Sequence, residues 1–523
     1  MLKFLAIDKF QKSPPNGYRL ISNMVKSILP IPSPQRGRMQ YEAVIGLEVH
    51  AEMQTRSKMF CGCPVVDATT AEPNTAVCPV CSGMPGVLPV VNQKAVEYAL
   101  RVALALNCQI SHTSIFARKN YFYPDLPKGF QISQYEEPLA ENGELIIDTP
   151  QGEKVIRIRR VHMEEDTGKL THVIPEEGEP YSLVDLNRSG VSLLEIVSEP
   201  DLSSPEEVTA YGSSLRDIVR TLGVNSGDME KGVIRFEANV SIRPVGSTEL
   251  GTRVEIKNLN TFRGMERAIR YEMQRQATLL DAGQRVIQET LGWDETLGVT
   301  YSQRSKEEAH DYRYFPEPDL PPLVVEQEWI DEIRAQLPEL PRARMLRLHQ
   351  LYALPLEEAR IIAGDLDTLQ FFETCAQMDP TLPPKTIANW ICGQLFAWFN
   401  TSGESIASMK IQAKDLVELL RISQSDRINQ TTAKTVLEMM LQTGKNASAI
   451  ITEQGLEQVS NRNLIEDMIN QVLSENPEQV AAYLNGKETL ENWFFGQAMR
   501  QAGGKANPSI IKETLKEKLN KLK

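Results

Sequence analysis

Four segments of the sequence alternate apolar and polar residues with the period of a β-strand, which restricts this part of the chain to a sheet with one apolar and one polar face. In the first segment, Leu47 alternates with Glu48 and His50. Two later segments, around Glu237 and Glu255, repeat the pattern with cationic neighbours. A single segment of this kind is usually a solvated sheet face, but the repetition predicts a sheet that gathers carboxylates on its polar face.

The fourth segment, VHMEEDTGKLTH at residues 161–172, is a dense group of potential ligands. It carries His162, Glu164, Glu165 and Asp166 within five residues. Carboxylates so close together repel one another, and a site that gathers them is usually stabilised by a divalent cation or a proton. This stretch therefore predicts a metal or proton site that the other three segments complete.

The strand phase in the fourth segment is ambiguous. Apolar residues up to Ile158 alternate in one register, whereas those from Val161 onward alternate in the other. This change of phase indicates a β-bulge near residues 159–160. Periodicity alone leaves open whether Glu164 or Glu165 faces the site.

Four of the seven cysteines form two short knuckles, Cys-x-Cys followed by Cys-x-x-Cys. Tetrahedral zinc takes four thiolates from two such knuckles, so the pattern predicts a structural Zn²⁺ site. A redox pair and a set of disulfides are the alternatives. The four predicted ligands are Cys61, Cys63, Cys78 and Cys81.

Length and composition exclude several classes of protein. The chain has 523 residues, enough for about two to four domains with their own cores. Its net charge of -13 argues against a protein that coats nucleic acid non-specifically. No apolar run reaches the roughly 18 residues that a membrane span needs, so no membrane partner is expected. No Walker-type phosphate loop or glycine-rich dinucleotide motif is present, so any nucleotide is bound by other means.

The order of patterns predicts an α+β protein with four regions. Residues 1–39 are interpreted either as an upstream extension caused by start-site assignment or as a weak targeting peptide. Residues 40–328 are expected to form a mostly antiparallel sheet domain that contains the zinc knuckles. Residues 329–410 and 411–523 have the helical period and are expected to form a helical domain and a helical tail domain. The last helix has a basic face, which is either solvated or in contact with a nucleic-acid backbone.

Two segments carry cations suited to phosphate binding. Arg118, Lys119 and Lys128 lie among aromatic residues and proline turns, and Arg313 lies in a proline-rich extended stretch. Such groups suit an anion held beside a flat ring. Each segment is also explained by a structural loop with surface cations.

From about residue 40 to its C-terminus, the sequence closely resembles the B subunit of aspartyl/glutamyl-tRNA(Asn/Gln) amidotransferase. The resemblance rests on the cysteine knuckles and on the strings VIGLEVH, PGVLPVVN, RKNYFYPDLPKGFQISQY, HMEEDTGK, LVDLNRSGVSLLEIVSEPD, EANVSIRP, EIKNLN and DYRYFPEPD. In the tail, GQAMRQAGGKANP is similar to the module with which this family contacts tRNA. The resemblance implies that residues 40–328 are the catalytic domain.

The resemblance implies a two-step reaction on Glu-tRNA(Gln) or Asp-tRNA(Asn). ATP phosphorylates the side-chain carboxylate of the misacylated amino acid, and ammonia then displaces phosphate to leave an amide. A carboxylate is a poor electrophile, whereas its acyl phosphate has a good leaving group. Mg²⁺ held by carboxylates, together with nearby Arg or Lys, neutralises the phosphoryl oxygens in such a transfer.

The resemblance also implies which residues act. Position by position, the implied magnesium ligands are Glu48, His50, Glu165, Glu237 and Glu255. The residues implied to contact the ATP phosphates are Lys119, Arg157, Arg159, Lys257 and Arg313. Catalytic roles are implied for Glu165, His50, Lys119 and Arg313. The match selects Glu165 over Glu164, and oxygen-rich ligation fits Mg²⁺ or Mn²⁺ better than zinc.

Partners follow from the same resemblance. No catalytic cysteine with a partner histidine and no amidase signature is evident, so ammonia is expected from a glutaminase A subunit, with a small C subunit completing a heterotrimer. A cytoplasmic location is expected, or an organellar one if residues 1–39 are a targeting peptide. The alternatives are a non-enzymatic zinc-bearing tRNA-binding module, which would not need the carboxylates, and a stand-alone metal phosphotransferase.

Overall fold

The computed structural model describes residues 40–175, 178–305, 312–425, 427–457, 462–502, 506 and 508–522. The predicted extension at residues 1–39 lies outside these ranges. The strands are β1 Tyr41–Glu52, β2 Gln109–Ile110, β3 Thr113–Ser114, β4 Phe116–Asn120, β5 Phe130–Gln134, β6 Ala140–Thr149, β7 Gly152–Glu165, β8 Lys169–Val173, β9 Tyr181–Asp185, β10 Ser192–Ser198, β11 Ile234–Pro244, β12 Val254–Leu259, β13 Glu289–Asp294, β14 Val299–Ser305, β15 Phe315–Pro316 and β16 Leu323–Val324.

Nine of these strands form one sheet in the order β14-β13-β12-β11-β1-β10-β7-β6-β2. The pair β12–β13 is parallel, and the other neighbouring pairs are antiparallel. The predicted bulge is confirmed, because the pairing of β7 with β10 shifts between Arg160 and Ile158. The predicted α+β class with a mostly antiparallel sheet is likewise confirmed.

One face of the sheet is apolar and lies under three helices, α1 Gln93–Ala105, α2 Pro205–Thr221 and α3 Phe262–Asp281. Strand alternation directs Leu47 and Val49 into this core, where both are buried. All three helices begin at side-chain caps: the Asn92 amide oxygen and the Ser204 and Thr261 hydroxyls accept backbone N–H groups of the first turns. Because the helices cover one face only, the polar face remains open.

Smaller sheets border the open face. β4 pairs with β5 and β15, β3 pairs with β16, and β8 pairs with β9. β5 also lies against β7 of the large sheet. This packing brings the aromatic and cationic residues of the 117–135 segment to the edge of the polar face.

The rest of the described chain is helical. The helices are α4 Gln327–Ala335, α5 Pro341–Tyr352, α6 Leu356–Ala363, α7 Leu366–Met378, α8 Pro384–Asn389, α9 Phe396–Ser402, α10 Ala413–Gln424, α11 Gln430–Thr443, α12 Ala447–Gln454, α13 Arg462–Glu475, α14 Pro477–Leu484, α15 Leu490–Gln501 and α16 Pro508–Leu522. A π-helical turn, Trp390–Leu395, joins α8 to α9. None of the helices in the described part of the chain combines the length and apolar character needed to span a bilayer.

The buried apolar residues divide the helices differently from the predicted boundaries. Ile330 and Ile333 of α4 belong to the core of the sheet domain. The boundary expected at 328/329 therefore falls inside a helix that packs in this core. A second apolar cluster extends over residues 345–451, and the boundary expected at 410/411 falls inside it. A third cluster extends over residues 465–519. Periodicity reveals helices but not which helices share a core.

Candidate active site on the polar face of the sheet

A cleft of about 770 Å³ lies over the polar face of β12, β11, β1, β10 and β7. Six acidic and six Lys or Arg side chains line it, together with two histidines. The acidic residues are Glu48, Glu164, Asp166, Glu195, Glu237 and Glu255, the cations are Lys119, Arg159, Arg160, Arg235, Arg253 and Lys257, and the histidines are His50 and His162. Such a mixture suits a charged ligand better than an apolar one.

Three carboxylates from three neighbouring strands meet at one end of the cleft. Glu48, Glu237 and Glu255, the triglutamate set, each offer an oxygen within 4.8 Å of the others. The Lys257 ammonium lies 2.6 Å from Glu237 Oε2 and 3.5 Å from Glu255 Oε1. Burial lowers the pKa of Lys257, but these carboxylates outweigh burial and raise it above its usual range. The set offers the oxygen ligands that Mg²⁺ and Mn²⁺ prefer.

A second set of potential ligands combines imidazole with carboxylates. His50 Nε2 lies 3.4 Å from Glu195 Oε2 and 3.8 Å from Glu164 Oε1, and we call these three residues the histidine–carboxylate set. His162 Nε2 approaches the same Glu195 oxygen to 3.3 Å from the other side. The strand register produces this row, because His50 and His162 are both paired with Glu195. Glu164 Oε2 is buried and has no hydrogen-bond partner in the described structure.

The charges of this set act on one another. Burial lowers the pKa of His50, but the hydrogen bond and charge of Glu195, with Glu237 and Glu164 behind it, raise it to about 9. Burial raises the pKa of Glu195, yet the two histidines hold it well below its usual range. A divalent cation bound here would replace the proton of His50 as the counter-charge.

Glu165 does not lie in the cleft, contrary to its expected place beside Glu48 and Glu237. Beyond the bulge, β7 directs His162 and Glu164 to the polar face and Glu165 to the opposite side. Glu165 Oε1 there accepts the backbone N–H of Ile132 at 2.9 Å and forms an ion pair with Lys128. The structure therefore places Glu164, which the strand period had left open, where Glu165 was expected.

The five cations expected at the phosphates divide into two groups. Lys119, Arg159 and Lys257 line the cleft. Arg157 does not: it forms a two-point ion pair with Asp201 on the exposed surface, and Arg159 at the edge of the cleft forms a similar pair with Glu199. Arg313 does not line it either: it lies before β15 with a φ of 46°, and its side chain is exposed.

Four tyrosines surround the Lys119 side of the cleft. Tyr135 and Tyr314 stack with ring centroids 4.1 Å apart and an interplanar angle of 7°. The Lys119 ammonium lies 5.1 Å from the Tyr312 ring centroid and 5.9 Å from that of Tyr121. Burial lowers the pKa of Lys119, but the charges of nearby carboxylates raise it well above its usual range. The cleft thus has a permanent cation beside flat aromatic surfaces.

The four predicted zinc ligands lie together, with their sulfurs within 4.8 Å of one another, and we call them the cysteine cluster. All four are free thiols, with Cys81 Sγ 4.0 Å from Cys63 Sγ and 3.9 Å from Cys78 Sγ. Tetrahedral zinc–sulfur bonds of about 2.3 Å place sulfurs about 3.8 Å apart. The cluster could therefore hold a metal ion such as zinc, and within the described residues it does not form disulfides.

Comparison with known families fits this geometry. A family model described as the GatB/GatE catalytic domain matches residues 43–331, and a second, described as a GatB domain, matches residues 370–519. A protein of Thermodesulfovibrio yellowstonii, named as the B subunit of aspartyl/glutamyl-tRNA(Asn/Gln) amidotransferase, is 50% identical over 91% of this chain and 99% of its own length. The chain belongs to this family. Proteins of the same name from Thermoanaerobacter sp. and Myxococcus xanthus are each 49% identical over 92% of the chain and 100% and 98% of their own lengths.

In this member of the amidotransferase B-subunit family, sequence reasoning missed several residues of the cleft. Glu195 is the single acid in strand β10, whose other residues are apolar or serine. This isolated acid was the one feature of the sequence that could have indicated a site residue here. His162 belonged to the dense segment but was not selected. Tyr135 and Tyr314 lie 179 positions apart in the chain, and no local pattern could have paired them.

Proposed function

We propose that the chain is the subunit that activates and amidates the side-chain carboxylate of misacylated Glu-tRNA(Gln) or Asp-tRNA(Asn). The observation that carries the proposal is the meeting of two ligand sets and several cations in one open cleft of a domain that matches the family's catalytic domain. A non-enzymatic tRNA-binding module would not need this cleft, and neither the family match nor the names of the relatives favour it.

The reaction has two steps. An oxygen of the side-chain carboxylate attacks the γ-phosphorus of ATP, the bond to the bridging oxygen breaks, and an acyl phosphate and ADP form. The nitrogen of ammonia then attacks the acyl carbon, phosphate leaves with the electron pair of its bond, and loss of a proton from nitrogen leaves the amide. Most of the catalysis in such a transfer is positioning and charge neutralisation.

The residues of the cleft supply both effects. The triglutamate set and the histidine–carboxylate set are suited to hold divalent cations such as Mg²⁺, which would neutralise phosphoryl oxygens. Lys119, Arg159 and Lys257 contact phosphate oxygens in this proposal. The stacked rings of Tyr135 and Tyr314 offer a flat surface on which the adenine of ATP packs, with Lys119 beside its phosphates.

The partners of the chain belong to the proposal as well. Ammonia comes from a glutaminase A subunit, a small C subunit completes the heterotrimer, and the C-terminal helical region contacts tRNA. The relatives are named as one subunit of their enzyme, which supports a multi-subunit assembly. Zinc is the proposed occupant of the cysteine cluster, and a cytoplasmic location stays a prediction.

The test is formation of the acyl phosphate by the chain reconstituted with its A and C subunits. Glu-tRNA(Gln) and ATP labelled at the γ-phosphate are supplied, and labelled acyl phosphate is trapped in the absence of glutamine. Glu164→Gln and Glu237→Gln should bind tRNA normally and form at least 100-fold less intermediate, an effect of the size seen for loss of a key electrostatic group.

Glu206→Gln is the matched control, because Glu206 is an exposed glutamate on α2 that pairs with Arg270 outside the cleft. It should form the intermediate at the wild-type rate. The proposal fails if both cleft variants form the intermediate as fast as this control, since the carboxylates of the cleft would then have no part in activation.

A further inference from the structure

Lys58 is a fully buried lysine, with 0% of its surface exposed. Its ammonium donates hydrogen bonds to the carbonyl oxygen of Ala76 at 2.8 Å, the carbonyl oxygen of Leu186 at 3.2 Å and Cys81 Sγ at 3.6 Å. None of these three acceptors is a carboxylate. A buried charge without a counter-charge is costly, so the environment of this ammonium needs a negative group.

The cysteine cluster supplies that negative group once it holds a metal. Four thiolates around one divalent cation carry two excess negative charges. Cys81 is the most buried of the four cysteines, and its sulfur also accepts the backbone N–H of Cys78 at 3.2 Å. An N–H donor and a cation at this sulfur disperse its charge, as outer-sphere partners of metal ligands do. Lys58 and the loaded cluster therefore neutralise one another inside the protein.

Leu186, whose carbonyl accepts from Lys58, begins a segment that reaches the cleft. We call residues 186–191 the connecting segment. Its Arg188 donates to the carbonyl oxygens of Thr167 and Gly168, and its Val191 carbonyl accepts the N–H of Asp166. Asp166 lines the cleft and pairs with Arg235 at 2.9 Å.

The connecting segment is also held from the side of the cysteines. The Gly190 carbonyl accepts the N–H of Met59, the neighbour of Lys58, at 2.7 Å. The Ser189 hydroxyl donates to the carbonyl of Cys81 at 3.0 Å. Strand β10, which carries Glu195, starts directly after this segment. The segment thus lies between the cysteine cluster and the cleft and is bonded to both.

We propose that Lys58 is the charge partner of the metal-loaded cysteine cluster and a positioning residue, through which metal occupancy holds the connecting segment against the cleft. Loss of the metal leaves Lys58 without a counter-charge, weakens its bond to Leu186 and loosens the segment that precedes Glu195. The effect of Lys58 on amide formation rests on the proposed function, whereas its effect on metal binding does not.

The first experiment compares Lys58→Met with wild type in the full chain reconstituted with its partners. Methionine keeps the length and apolar stem of lysine but removes the charge and the hydrogen bonds. Lys231→Met is the control, because Lys231 is exposed in a turn. Transfer of zinc to a coloured chelator should be about 10-fold to 100-fold faster in Lys58→Met, the usual range for a lost outer-sphere partner, and unchanged in the control.

A spectroscopic measurement distinguishes this role from simple packing. With Co²⁺ in place of zinc, the thiolate-to-cobalt charge-transfer band should move to longer wavelength in Lys58→Met, because a sulfur that has lost its donor gives up an electron more readily. If Lys58→Met releases zinc at the wild-type rate and its charge-transfer band does not move, the proposal is overturned and Lys58 is a packing residue.

Hydrogen exchange in the wild-type chain tests the link to the cleft without any variant, in case Lys58→Met does not fold. Removal of zinc by chelator should speed amide exchange in residues 186–191 at least tenfold, with no change in α11. Unchanged exchange in the connecting segment would overturn the link. A failure of the acyl-phosphate test above is independent of both outcomes, since zinc release and exchange are measured without substrate.

Discussion

Glu48 lies directly opposite Glu237 in the antiparallel pairing of β1 with β11. Like charges in directly opposed positions destabilise a sheet, and here the Lys257 ammonium offsets part of the repulsion. The pair therefore has a reason to bind a divalent cation that is independent of any reaction.

This pairing predicts a metal-dependent stability. Mg²⁺ should raise the midpoint of thermal unfolding of the wild-type chain. In Glu48→Gln, the metal-free chain should be equally stable or more stable by up to about 1 kcal/mol, the size of one cross-strand pair, while the response to Mg²⁺ should shrink. Calorimetry with and without Mg²⁺ checks both points. An undiminished Mg²⁺ response in Glu48→Gln, with Glu206→Gln as control, would contradict this assignment.

The opposite orientations of Glu164 and Glu165 give the two residues different roles. Glu165→Ala removes the partner of Lys128, which is 11% exposed, so the free energy of unfolding should fall by about 3 kcal/mol, as in other broken buried pairs. Mn²⁺ bound in the cleft, followed by electron paramagnetic resonance, should be unaffected. Glu164→Gln, by contrast, should weaken Mn²⁺ binding and leave the free energy of unfolding nearly unchanged.

A double-mutant cycle gives the control for this pair. Lys128→Met combined with Glu165→Ala should cost much less than the sum of the single changes, because the double variant leaves no buried charge alone. Additive costs would show that the two side chains do not interact.

The stacked pair of Tyr135 and Tyr314 predicts an effect on nucleotide binding. Tyr135→Ala should raise the KM for ATP about 5-fold to 150-fold, given roughly 1–3 kcal/mol for stacking of a base on an aromatic ring. Tyr135→Phe keeps the ring and should stay near wild type. Steady-state ATP titrations at saturating tRNA measure both. Equal KM values for the two variants would show that adenine does not pack on this surface.

Asp379 predicts a pH dependence in the second apolar cluster. Hydrogen bonds from Arg421 and Thr381 hold its pKa at about 2. Since this pKa is depressed, the stabilisation is present above the unfolded value of about 3.9 and is lost as pH falls towards 2. Helical circular dichroism between pH 5 and 2 should therefore fall more steeply in wild type than in Asp379→Asn. Parallel curves would show that another carboxylate governs the acid transition.

The strand period predicted which residues share the polar face where the strands are regular. Glu48, Glu237 and Glu255 follow directly from alternation, because a period of two is a local property of the chain. At the bulge of β7 the period left the choice between Glu164 and Glu165 open, because one additional residue exchanges the faces. The resemblance selected Glu165, whereas Glu164 is the residue that lines the cleft.

Other parts of the site depend on contacts that no local pattern encodes. Arg157 carries the right charge, but Asp201 binds it at the surface. Arg313 lies next to two tyrosines of the cleft, yet its side chain is exposed and does not line the cleft. The helical period likewise predicted the helices after residue 328 without indicating that Ile411 packs in the same cluster as Leu348.

The position of β1 at the middle of the sheet also has a consequence for synthesis on the ribosome. Its partner β11 begins at Ile234, 182 positions after β1 ends at Glu52. At about 5–20 residues per second, the edge of β1 that pairs with β11 stays unpaired for roughly 10–40 s. The charged row of Glu48, His50 and Glu52 then protects the nascent strand from pairing with other chains, as inward-facing charges do on open edges. Glu48 and His50, which are proposed to bind metal in the folded enzyme, would thus first keep the nascent chain from aggregating.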